Sequence, residues 1–124
     1  MEVGQVKRIY VEVMTSGEAL NRFGRALRRS GKIKAAAEPT IAVGSIGELT
    51  ALLSPKRMDL LKHVVQHRGL SVRALSKALG RDYKNVHTDV TELEASRLLE
   101  RDAEGRVTAP FDEIVIRAPL HEAA

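Results

Sequence analysis

From Lys7 to Met14 the chain alternates, with Ile9, Val11 and Val13 on one side and Tyr10 and Glu12 on the other, the period-two pattern of a half-buried strand. Thr15 and Glu18 then form a T-x-x-E capping box, and Leu20, Phe23 and Leu27 recur at helical spacing until Gly31 stops the run. Ile41 and Val43, after Pro39, predict a second short strand. Ser45 and Glu48 repeat the capping box and open a short apolar helix that ends where Ser54 and Pro55 start the next one. In that next helix Met58, Leu60, Leu61, Val64 and Val65 make one apolar stripe, closed by Gly69. Ser71 caps a two-turn helix with Val72, Leu75 and Leu79 inward, which ends at Gly80. Two residues later Asp82 caps another helix, along one side of which run Tyr83, Val86, Val90, Leu93 and Arg97. The period then changes. LLERD and RVTAP read as strands of a hairpin turned at Ala103-Glu104-Gly105, and the alternating segment Asp112 to Arg117 predicts a third strand completing the same small sheet.

Two amphipathic helices joined by a very short Gly-containing turn, followed by a hairpin, are the sequence description of a winged helix-turn-helix. The expected fold is therefore α+β: an N-terminal strand-helix-strand arm over residues 1–44, for dimerisation or partner binding, and a winged helix-turn-helix over residues 45–124. A chain of 124 residues suits one such domain with an arm, not two independent cores. No apolar run approaches about 18 residues, so no membrane span is expected. The opening MEVGQVKRIY lacks the apolar core of a secretory signal, and cysteine is absent, which together predict a reducing, cytoplasmic setting. Without cysteine there is no zinc knuckle, thiol nucleophile or disulfide framework, and 3% aromatic residues argue against stacking single-stranded nucleic acid.

The net charge of +4 becomes informative only through its distribution. From Lys56 to His87 there are eight basic residues against two acidic ones, a local +6, whereas from Thr88 onward nine acidic residues face four basic ones, a local −5. The face of the Asp82-capped helix opposite Val86 carries Lys84, Asn85 and Thr88, residues able to read bases: Lys donates to guanine, Asn pairs with adenine in two hydrogen bonds, and Thr offers a hydroxyl and a methyl. Lys56, Arg57, Arg73, Lys77, Arg81, His87 and Arg106 are the expected phosphate contacts. The partner so defined is double-stranded DNA. The competing interpretation is an ordinary solvated helix face in a module used only for protein contacts.

A second basic block, Arg22 to Lys34, lies in the arm. It is open to three interpretations: a second DNA contact, a docking surface for an anionic partner, or a solvated face around a homodimer core of Leu20, Phe23 and Leu27. Dimerisation is favoured because a strand-helix-strand of this size cannot bury its own apolar face.

Other motifs carry less. His63 and His67 stand four apart on one helix but lack a third ligand, and Gly44-Ser45-Ile46-Gly47 lacks the Lys-Ser/Thr pair of a phosphate loop. Asp112 and Glu113 are neighbours in a strand and point to opposite faces, so they form no acid/base pair. No enzyme activity, metal or cofactor is expected.

Residues 50–120, and most closely LGRDYKNVHTDVTELE with the following LLERDAEGRVTAPFDEI, resemble a family of short prokaryotic winged helix-turn-helix transcriptional regulators, often antitoxin-like. The resemblance implies sequence-specific duplex binding by a small homodimer, sometimes encoded beside a toxin protein that it restrains. The chain departs from the family at Ser96-Arg97, where a Leu-Gly pair ends the recognition helix. A left-handed Arg97 would cost about 1–2 kcal/mol, so the helix is expected to run on or end differently. The functional expectation is a dimeric regulator that represses its own operon, with a toxin-binding antitoxin as the alternative.

Overall fold

A computed structural model describes residues 6–14, 17 and 39–120. The expected helix from Thr15, and with it Leu20, Phe23, Leu27 and the Arg22 to Lys34 block, lies outside the described residues. In chain order the elements are β1 (Arg8–Val13), β2 (Thr40–Val43), α1 (Ile46–Leu52), α2 (Pro55–Gln66), α3 (Val72–Leu79), α4 (Tyr83–Ala95), β3 (Glu100–Arg101), β4 (Val107–Thr108) and β5 (Glu113–Arg117). The fold is mixed α+β. No helix among the described residues is long and apolar enough to cross a membrane.

The described residues fall into two compact units, one holding residues 6–7 and 52–112, the other 8–14, 17, 39–51 and 113–120. The second unit groups β5 and most of α1 with β1 and β2. Rather than joining the hairpin, β5 pairs in parallel with β1, 105 positions away, so that β1 lies between β2 and β5 in a three-stranded parallel sheet. The register aligns Ile9 with Ile114, Val11 with both Ile41 and Ile116, and Val13 with Val43, making one side of the sheet wholly aliphatic. The other side aligns opposite charges, Arg8 with Glu113 and Glu12 with Arg117, and the first pair is closed by a hydrogen-bonded ion pair. Such matched cross-strand pairs contribute roughly 0.2–1 kcal/mol each. A parallel neighbour demands a long crossover, and the whole helical unit lies in the chain between the neighbours β1 and β5.

In the helical unit, each helix starts at a side chain that accepts from an otherwise orphaned backbone N–H. Ser54 Oγ accepts from Arg57 N (3.3 Å), Ser71 Oγ from Ala74 N (3.1 Å) and Asp82 Oδ2 from Asn85 N (3.3 Å). In the other unit Ser45 caps α1 in the same way through Glu48 N (3.1 Å), while the Glu48 carboxylate accepts from Gly44 N, completing the box. Gly80 occupies the left-handed region (φ +64°), which lets the chain reverse between α3 and α4 in three residues. Leu60, Leu61 and Val64 of α2, Val72 and Leu75 of α3, and Val86, Val90 and Leu93 of α4 are buried together with Leu98, Leu99 and Val107. The hairpin is tied in through Leu70, whose carbonyl accepts from Val107 N (2.8 Å) while Gly69 N donates to the Val107 carbonyl (3.0 Å).

The end of α4 departs from expectation. The helix stops at Ala95, and Arg97 itself adopts the left-handed conformation (φ +73°). Leu98 N donates to the Leu93 carbonyl (2.9 Å) and Arg97 N to the Glu94 carbonyl (3.0 Å), the pair of bonds that a glycine usually supports. The strain is tolerated because the turn delivers Leu98 and Leu99 into the core, each worth about 1.5–3 kcal/mol, against about 1–2 kcal/mol for a left-handed side chain. Arg97 is exposed, so Arg97→Gly should remove the strain without loss of packing and, after the added chain entropy of glycine, stabilise by about 1 kcal/mol. A raised midpoint in urea unfolding checks this; an unchanged midpoint would show that the left-handed turn carries no strain.

Candidate functional site

The α3–α4 pair positions one continuous polar surface. With Val86, Val90 and Leu93 fully buried, the opposite side of α4 presents Lys84, Asn85, His87, Thr88 and Thr91, all exposed. Lys84, Thr88 and Thr91 follow one another at helical spacing, so they share one line along the helix. Lys56 at the start of α2, and Arg73 and Lys77 on α3, are exposed as well. Arg106 sits beside the hairpin turn with its side chain 58% exposed and only a loose pairing with Glu104, at 4.0 Å. Its backbone N–H is fixed by Asp102 Oδ1 (2.9 Å), which also accepts from Glu104 N (2.9 Å) and so holds the turn.

Two of the expected phosphate contacts are placed elsewhere. Arg57 Nε donates to Asp89 Oδ1 (3.0 Å), with a second hydrogen bond from its Nη2 to Glu92, and Arg81 Nη2 donates to Asp89 Oδ2 (2.7 Å). The side chains of Arg57, Asp89 and Arg81 are only 13%, 14% and 18% exposed. These two guanidiniums lock α2 and the α3–α4 turn onto α4 instead of reaching for a ligand. Burial works against the charge on Arg57, but the hydrogen bonds it donates to Asp89 and Glu92 outweigh it and hold its pKa above the ordinary value. Arg81 Nη1 is buried and has no hydrogen-bond partner among the described residues.

The same pairing changes the electrostatics of α4. Glu94 is bound by Arg101 of β3 (Nε to Oε1, 3.0 Å), and Arg101 Nη2 also donates to Thr91 Oγ1 (3.1 Å). All three acids in the second half of α4, Asp89, Glu92 and Glu94, are thus matched by arginines from outside the helix. Lys84 in the first turn, and Lys77 and Arg73 of α3, are exposed cations, and no ion pair of Lys84 is formed among the described residues. This is an arrangement that can bind an extended anion: cations and amide or hydroxyl donors are exposed, and the carboxylates of Asp89, Glu92 and Glu94 are already paired.

Tyr83 was expected inward and is instead 39% exposed, with the Arg73 guanidinium 4.8 Å above its ring and His87 tilted against it at 5.9 Å. Arg73, Tyr83 and His87 therefore form one row bridging α3 and α4, to which Tyr83 adds a hydroxyl. The sequence signal was there in the i, i+4 spacing of Tyr83 and His87. His63 and His67 stack on each other at 4.3 Å, and His67 Nδ1 lies 3.2 Å from the His63 carbonyl.

The fold and site define a small mixed α+β protein whose helical unit presents a basic, polar helix face. A family model, HVO_A0114, matches residues 52–116, more than half of the chain, and the chain belongs to that family. The match spans the helical unit and most of β5, but neither β1 nor β2. No curated protein matches the sequence.

Proposed function

We propose that the chain is a winged helix-turn-helix transcriptional regulator that binds duplex DNA sequence-specifically as a homodimer and represses its own operon. In this reading α3 and α4 are the helix-turn-helix, the β3–β4 hairpin is the wing, and α4 enters the major groove. Lys84, Asn85 and Thr88 read bases. Lys56, Arg73, Lys77, His87 and Arg106 hold phosphates, with Tyr83 added as a hydroxyl donor, while Arg57 and Arg81 act only by fixing the helices. The observation that supports this reading is the exposure of Lys84, Asn85 and Thr88 on a helix whose acids, Asp89, Glu92 and Glu94, are each ion-paired with an arginine.

Titration of a fluorescent duplex bearing the upstream sequence of the chain's own gene tests it. Affinity should fall with salt with a log–log slope of about −0.9 for each phosphate neutralised. A flat response would remove the phosphate contacts and leave the helix face as an interaction surface of another kind.

A further inference from the structure

We propose that the outer edge of β5 is a homodimer interface, where β5 pairs antiparallel with β5 of a second copy, centred on Val115, to join the two sheets into one. β5 ends the described sheet on one side, and an edge strand offers a row of unpaired N–H and C=O groups. Protective devices are absent from its interior: Ile114, Val115 and Ile116 carry no charge, proline or bulge, and Ile116 is 51% exposed. An aliphatic edge of this kind is suited to strand addition.

The sequence of the strand identifies the occupant as another β5. Glu-Ile-Val-Ile-Arg is self-complementary when reversed: about a twofold axis at Val115, Glu113 faces the partner's Arg117, Ile114 faces the partner's Ile116, and Val115 faces its own copy. A twofold axis normal to the sheet keeps each side chain on its own face, so the register can slip only in steps of two residues. The neighbouring registers set Glu113 against Val115 or Pro119, and only the Val115 register matches both charges.

The existing sheet extends this pattern. Arg8 already pairs with Glu113 and Glu12 is aligned with Arg117, so the dimer would form an alternating row across both copies, from Arg8 through Glu113 and the partner's Arg117 to the partner's Glu12. Glu113 is half exposed and has room for the second cation. On the opposite face, Ile114 and Ile116 continue the aliphatic surface of Ile9, Val11, Ile41 and Val43 into the second copy. Pairing through this edge does not depend on DNA.

Because the chain has no cysteine, Val115→Cys places a single thiol at the proposed axis. Directly opposed residues in an antiparallel pair have Cα atoms about 4.5–5.5 Å apart, within the span of a disulfide. Oxidation without DNA should yield a covalent dimer, whereas Ala42→Cys on the other edge strand should not crosslink. Equal crosslinking of the two variants, or none at position 115, would overturn the proposal. Sedimentation of the unmodified chain should show a dimer. Arg117→Glu, which sets acid against acid twice, should weaken that dimer roughly tenfold or more with the far-UV dichroism unchanged. A monomeric native chain, or an Arg117→Glu variant that dimerises as well as the native one, would equally exclude this interface. Duplex binding is scored separately, so failure of the dimer and failure of the DNA reading are distinguishable.

Discussion

Replacing Asp89 by alanine is expected to cost about 3 kcal/mol of folding stability, the lower end of the range for removing one partner from a buried ion pair. Asp89 is the shared acceptor of Arg57 and Arg81, and all three side chains are less than one-fifth exposed. Without the carboxylate two guanidiniums remain in a site that water reaches poorly, one of them with a nitrogen that already lacks a partner among the described residues. Glu92 continues to bind Arg57, which keeps the cost from rising further. Glu92→Ala is the internal contrast: that side chain is 54% exposed, and its loss should cost less than about 1 kcal/mol. Urea unfolding of the two variants checks both numbers. Because a buried pair is poorly screened, the Asp89→Ala loss should persist at high salt while the Glu92→Ala loss shrinks. Similar small losses for the two variants would mean that the cluster is solvated and does not lock the helices.

The second large effect concerns recognition rather than stability. Asn85→Ala is expected to cost roughly 1–3 kcal/mol on the preferred duplex and little on random sequence, because a bidentate contact to adenine is lost while the phosphate contacts remain. The fold should be unaffected, since the Asn85 side chain is exposed and only its backbone N–H serves the Asp82 cap. Lys77→Ala is the matching control and should weaken binding to both duplexes alike while reducing the salt slope by about 1. Equal losses for Asn85→Ala on preferred and random DNA would make Asn85 an anchor instead of a reader.

What the sequence disclosed and what it concealed divide along the range of the interactions. The caps at Ser45, Ser54, Ser71 and Asp82 were legible because a cap and its N–H lie three residues apart. The buried stripe of Val86, Val90 and Leu93 was equally plain from its spacing. β5 was recognised as a strand, but its partner was not, because alternation identifies a strand without saying which strand 105 positions away shares its register. Arg57 looked like a free cation for a similar reason: its acid lies 32 positions on, across a helix-to-helix contact that charge counting does not resolve. Tyr83 was misread because a helical stripe was extended one turn beyond the core that supports it. Arg97 shows the opposite error, in which a local propensity was given too much weight against the burial of the two leucines that follow it.

The central claim is that the exposed face of α4 reads duplex DNA, and it is tested most directly by comparing two duplexes in one binding assay. One carries the upstream sequence of the chain's own gene, the other the same bases shuffled, both at physiological salt. The account predicts that the upstream duplex binds roughly 10³-fold or more tightly than the shuffled one, the lower end of the range for specific recognition. Equal affinity for the two, or no binding to either even at low salt, would contradict it.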